Sequence, residues 1–245
     1  ATALRADAGD AAGSAGWPYP SLVQVALDHD ATPLLLISTL ALHTANIAAD
    51  DRVGLLFDGT AGLARPLTGG RVSVLGRAVR SDEPRHRARF RARHPDAAAY
   101  MGFADFALYR VAVERAHFVA GFGRIHALAA TDLLLDGVPD ALAAAEADLL
   151  TELNACGLGD GPDWPGDVGP DGAGDGGWRL TGIDPDGADL RRGGAVARWE
   201  FDEPVVDGVA ARAALAGLAR RSRQEEAATP GPRSGRPDRP DGTQP

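Results

Sequence analysis

Two stretches decide the fold: Asp51-Arg52-Val53-Gly54-Leu55-Leu56-Phe57-Asp58 and Gly70-Arg71-Val72-Ser73-Val74-Leu75-Gly76-Arg77-Ala78-Val79-Arg80. In the second, Val72, Val74 and Ala78 fall on one side and Arg71, Ser73 and Arg77 on the other, the two-residue period of a strand with one buried face. The first, over 52–58, reads as a buried strand, and the Gly-punctuated segment 59–70 joins the two as a loop. Upstream, Val23, Val25 and Leu27 share one face of a strand over Ser21–Asp28. His29-Asp30-Ala31-Thr32 then turns the chain into an apolar strand over Pro33–Ser38, which makes a hairpin. Ala41–Ala49 has helical character. Downstream, Pro84 opens a basic helix, Arg85–His94, and Phe106–Val113 and Ala116–Gly121 read as two more strands. Six mostly antiparallel strands with short helices between them predict an α+β protein whose sheet closes into a barrel rather than a parallel sheet.

A second unit follows. Pro139–Ala155 is an Ala/Leu-rich helix, Trp178–Ile183 and Asp189–Arg192 flank the turn Asp184-Pro185-Asp186-Gly187, Ala195–Phe201 alternates, and Val209–Arg221 is an amphipathic closing helix. The expected organisation is a flexible N-terminus over 1–16, a barrel over 17–136, and a small α/β domain over 137–222 interrupted by a Gly/Asp/Pro-rich linker at 157–177. A disordered tail over 223–245 is expected to complete the chain.

Composition removes several chemistries. The 245-residue chain carries 25 basic and 34 acidic residues, a net charge of −9, and every basic residue is arginine. Without lysine there is no Schiff-base amine, no P-loop lysine and no lysine general base, so a phosphate must be held by Arg, His, hydroxyls or amides. The acidic balance argues against nucleic acid as a partner. The single Cys156 excludes an internal disulfide and a multi-cysteine metal site, and no metal site is expected. The longest apolar run, Pro33–Leu42, falls far short of the roughly 20 residues a membrane helix needs. Residues 1–16 lack the apolar segment of a signal peptide. A cytoplasmic protein with no membrane partner is expected.

The two opening stretches, with the hairpin and short helix before them, resemble the FMN-binding split barrel of the pyridoxamine 5'-phosphate oxidase superfamily. Tyr109-Arg110-Val111 and Ala116-His117-Phe118-Val119-Ala120-Gly121-Phe122-Gly123-Arg124 look like the last barrel strands of its haem-utilisation (HugZ-type) branch. The unit from Glu146 to Arg221, above all Trp178–Leu190, is similar to the small α/β domain of that branch. The resemblance implies a homodimer of packed barrels, FMN at the interface, and flavin-dependent oxidoreductase character on a small-molecule ligand. The family's phosphate-binding Arg-Lys pair corresponds to Leu42-His43, so His43, with Thr44 and the helix amides, takes that position. Ser38 and Thr39 fall where the family lines the flavin, and Arg71 where a partner subunit reaches it. Arg124-Ile125-His126 has the Arg-x-His spacing that holds substrate. The Trp-Gly-Gly signature of true pyridoxamine phosphate oxidases is absent before Tyr109-Arg110, which argues against vitamin B6 oxidation. No catalytic residue is assigned.

Two alternatives stay open. One is a haem-binding or haem-degrading protein. The branch's His-Met-Asn-x-Asp-His run corresponds to Glu152-Leu153-Asn154-Ala155-Cys156-Gly157, which keeps only Asn154. His43, His117, His126, Cys156 and Met101 remain as conceivable axial ligands. The other is a non-catalytic barrel that has lost its cofactor site. The arginines of the basic helix read either as an anion or haem-propionate site or, preferred, as a solvated face.

Overall fold

The alternation over 70–80 does fold as a strand, and the rest of the barrel is assembled on it. In the computed structural model, which describes residues 1–4, 16–156 and 177–228, the strands are β1 (Thr2–Leu4), β2 (Pro18–Pro20), β3 (Val25–Leu27), β4 (Pro33–Ser38), β5 (Arg52–Asp58), β6 (Gly70–Arg80), β7 (Phe106–Ala120) and β8 (Ile125–Ala129). They form one antiparallel sheet in the order β2-β1-β5-β6-β7-β4-β3, with β8 also on β7. Strand β7 holds the sheet together. Its first part pairs with β4, its last part with β8, and nearly its whole length with β6. Side chains of Leu35, Ile37, Val53, Leu55, Val74 and Val111 fill the inside, each buried apolar side chain contributing about 1.5–3 kcal/mol.

Four expectations change here. The strands expected at 106–113 and 116–121 are one strand. A register shift pairs Leu75 with Arg115 but Gly76 with Val113, leaving Glu114 as the extra residue of a β-bulge. Strand β8 was not expected, because four of its five residues are exposed and nothing alternates. Within the stretch expected to be flexible, Thr2–Leu4 is a strand paired with both β2 and β5. Of the strand expected over 21–28, only Val25–Leu27 is paired.

The helices α1 (Leu42–Ala49), α2 (Pro84–Arg93) and the short α3 (Ala130–Leu133) decorate the barrel. The C-terminal unit packs α4 (Asp140–Cys156) and α5 (Gly208–Ala228) on a three-stranded sheet of β9 (Arg179–Asp184), β10 (Gly187–Arg192) and β11 (Ala195–Glu200). Its core is Leu142, Leu149, Leu180, Ile183, Trp199 and Leu215. The linker expected at 157–177 and the tail expected at 223–245 lie largely outside the described residues.

Candidate functional site

The positions expected to bind a cofactor fall at two ends of the sheet. Ser38 ends β4 and pairs with Phe106 at the start of β7, whereas Arg71 starts β6 and pairs with Val119 at the end of β7. Ser38 Oγ donates to Asp105 Oδ2 at 2.6 Å and accepts from the Leu40 amide at 3.1 Å. The Thr39 amide donates to the Asp105 carbonyl at 2.7 Å, and the Thr39 side chain is exposed. Helix α1 begins beside them without a side-chain cap and without an acidic residue in its first turn, so its leading amides are open to an acceptor. Thr44 Oγ1 is buried there with no hydrogen-bond partner.

His43 does not add charge. Burial, with help from the Ala1 ammonium, lowers its pKa below the ordinary 6.5. Its Nε2 is buried and unpartnered, and the ring borders a cavity of about 10 Å³ shared with Ala1, Ile37 and Val53. This position therefore offers neutral donors next to a carboxylate. It suits the dianionic phosphate of a flavin nucleotide less well than a pair of cations would.

At the other end, pairing sorts the remaining positions by face, because residues directly opposite in a ladder share a face. Phe57, Val72, Phe118 and His126 form one row on the inner face, and the His126 ring stacks on Phe118 with centroids 6.3 Å apart. Arg124 immediately precedes β8 and is exposed. Arg71, Val119 and Ile125 form the next row, on the outer face. The structure thus brings Arg124 and His126 to one barrel mouth, puts Arg71 on the opposite face, and keeps Ser38, Thr39, His43 and Thr44 at the far end.

The outer face carries a second arrangement. Leu56, Ser73, His117 and Ala127 form a row across four strands, and His117 is exposed. Next to that row, Gly54, Leu75 and Arg115 form another. Leu56 and Leu75 are 61% and 43% exposed, although both sit in mid-strand. They lie with Gly54, Gly76, Ser73 and Arg115 along a groove of about 470 Å³. An imidazole, an apolar floor and the guanidiniums of Arg71 and Arg115 therefore share one face. His117 was among the conceivable haem ligands by residue type. Only the register shows which neighbours it has.

The basic helix corrects an expectation. Arg89 is 3% exposed, not solvated. It reaches across to the C-terminal unit, donating from Nε to the Leu27 carbonyl at 2.8 Å and from Nη1 to the Ile183 carbonyl at 3.0 Å, and it ion-pairs with Glu146. The approach requires Gly182, since a Cβ there would stand 2.8 Å from Arg89 Nη1. His29 lies between Asp28 Oδ1 at 3.2 Å and Glu146 Oε2 at 3.0 Å. Asp28 also accepts from Arg85 at 2.9–3.0 Å and meets His86 Nε2 at 3.0 Å, while His86 Nδ1 meets Ser81 Oγ at 2.6 Å. Burial opposes the charge on His29, but Asp28 and Glu146 together raise its pKa. Burial likewise opposes the charge on both acids, and their partners nevertheless hold each pKa below its ordinary value. The turn that presents Asp28 and His29 is closed by the Asp28 amide on the Thr32 carbonyl at 2.9 Å and by Thr32 N donating to Asp30 Oδ1 at 2.9 Å.

Comparison with known proteins adds the following. A family model described as pyridoxamine 5'-phosphate oxidase matches residues 11–120. The crystal structure of Atu2129, a protein of unknown function from Agrobacterium tumefaciens, is 30% identical over 89% of this chain and 87% of its own, with a TM-score of 0.70. The non-canonical haem oxygenase HOZ of the Arabidopsis thaliana chloroplast is 33% identical over 109 residues. The match spans 43% of this chain and about a third, 33%, of that protein's length. A haem-binding protein from Mycobacterium smegmatis is 28% identical over 91% of this chain and 90% of its own, with a TM-score of 0.47. Among the described residues no helix is long and apolar enough to cross a membrane, and no group of three or more His, Cys, Asp or Glu side chains is placed to hold a metal ion.

Proposed function

Because this chain belongs to the pyridoxamine 5'-phosphate oxidase-like split-barrel family, we propose that it is a cytoplasmic homodimer of the haem-utilisation type, which takes haem on the outer face of its barrel. The observation that carries this is the exposed His117, set on a half-apolar sheet face between Leu56, Leu75 and the guanidiniums of Arg71 and Arg115. Haem needs an axial donor, cations for its propionates and apolar surface for its ring, and this face supplies each from one side. A second copy packed on the same face would cover Leu56 and Leu75. The similarity to a haem oxygenase over 109 residues supports the same reading. Haem, when bound, supplies the redox and oxygen chemistry. The protein's share is to ligate, to pair the propionates and to exclude water.

A second reading rests on the buried, unpartnered Thr44 Oγ1 and the uncapped start of α1. Here the α1 amides, with Ser38, Thr39, His43 and Thr44, would hold the phosphate of FMN, Arg71 of a second copy would reach the flavin, Arg124 and His126 would hold a small substrate, and the flavin would supply the redox chemistry of an oxidoreductase.

One pair of titrations separates the two. Hemin added to the purified protein is expected to give a Soret band that saturates at one haem per protomer and weakens at least tenfold in affinity in His117→Ala, with His126→Ala unchanged. FMN fluorescence is expected to stay unquenched. Stoichiometric FMN quenching, with weak and unsaturable hemin uptake, overturns the haem reading in favour of the flavin one.

A further inference from the structure

A second cavity lies where the barrel meets the C-terminal unit, on the far side of the chain's charge balance. It measures about 800 Å³ and is walled by α2 and the segment after it, by α4, and by β9 and β10. That is within the range of small-molecule sites, roughly 300–1,000 Å³. Among the described residues four arginines line it, Arg91, Arg179, Arg191 and Arg192, against one carboxylate, Asp96. This is the reverse of the chain as a whole, where acids outnumber bases 34 to 25.

Among the described residues the four guanidiniums are also not neutralised. Elsewhere in the molecule Arg52, Arg77, Arg85, Arg89, Arg198 and Arg212 each meet a carboxylate. None of the four cavity arginines does so among the described residues. Arg191 is fixed instead by carbonyls, Gly193 O at 2.7 Å and Arg93 O at 3.1 Å. Arg192 lies over the Trp178 ring at 5.0 Å, and its Nε is buried without a partner. Carbonyl and ring contacts orient a guanidinium without cancelling its charge. Two oriented forks and two open ones, over the apolar side chains of Leu150 and Leu180, make a receptor for carboxylate or phosphate oxyanions.

We propose that this cavity is a binding site for an organic polyanion, a phosphate ester or polycarboxylate of small-metabolite size, separate from the cofactor face of the barrel. Its ligand would bridge α2 of the barrel to β9 and β10 of the C-terminal unit, tightening the joint between them.

The test uses the full chain with pyrophosphate and citrate as probes, against sodium chloride at matched ionic strength. Either probe is expected to raise the melting temperature by a few degrees at millimolar concentration, through binding to the folded state, and titration calorimetry is expected to saturate at one site. Pyrophosphate acting alone identifies the phosphate class, and citrate acting alone the polycarboxylate class. Arg91→Gln/Arg179→Gln alters two exposed guanidiniums that make no hydrogen bond or ion pair among the described residues, so the variant is expected to fold normally, to bind at least tenfold more weakly and to take up hemin as the parent does. No shift beyond the chloride control, an equal shift in the double variant, or loss of hemin uptake in that variant would each overturn the proposal.

Discussion

Two clusters of charge lie between the barrel and the C-terminal unit, and they follow opposite rules. In the buried seam, Arg89 stands among Glu146, His29 and Asp28, and every charge there has an opposite within reach. In the open cavity, Arg91, two residues further along α2, stands with Arg179, Arg191 and Arg192 and a single carboxylate. One helix contributes to both. The contrast teaches that arginine identity says little until its partners are known. A matched buried set fixes one docking geometry, whereas an unmatched exposed set keeps its capacity to bind.

The largest effect expected on this contrast comes from Glu146→Ala. It leaves Arg89 buried without its counter-charge and His29 with Asp28 alone, and removal of one member of a buried pair costs about 3–5 kcal/mol. Urea unfolding is expected to show that loss, and a midpoint shift below 1 kcal/mol would erase the distinction between the clusters.

A smaller effect is expected from pH. The raised pKa of His29 makes its contribution complete below about 6.5, the unfolded value, and lost as pH rises through the folded value. The lowered pKa values of Asp28 and Glu146 make theirs complete above the ordinary carboxylate range and lost in acid. His43 and His94, whose pKa values are lowered, work in the opposite sense to His29. The parent is therefore compared with His29→Gln. The stability difference between them is expected to be greatest near pH 6 and to shrink towards pH 9, as read from urea midpoints at each pH.

The smallest effect is expected in the cavity. Arg91→Gln/Arg179→Gln breaks no ion pair, so without added anion its stability should stay within about 0.5 kcal/mol of the parent, as surface changes usually do. A loss above 2 kcal/mol would show that the cavity arginines are structural after all.

Much of the fold was legible because the inner-face residues of β5 and β6 repeat every second position. The hairpin of β3 and β4 and helix α1 were legible for similar local reasons. Strand β7 was read as two because the bulge at Glu114 shifts the alternation by one residue, and a pattern cannot distinguish a phase shift from a break. Strand β8 carried no pattern, since four of its five residues are exposed. The site was less legible. The arginines of α2 read as a solvated face, but that Arg89 turns inward depends on Glu146 and Ile183, 57 and 94 residues beyond it. The neighbours of His117 depend on register across four strands, which no local stretch encodes.

The hairpin turn at Asp28-His29 has one more consequence, for the order in which the chain can mature. Strand β4 finds its partner in β7 only after some 70 further residues, since Ser38 pairs with Phe106, and His29 finds Glu146 later still. A nascent barrel would hold the Arg89 guanidinium in its wall without a carboxylate, and the His29 imidazole with Asp28 alone, until α4 arrives. The division expected near residue 137 is therefore not a line of modularity. The two units are built to ripen together, and a barrel severed there would expose the part of its surface least suited to standing alone.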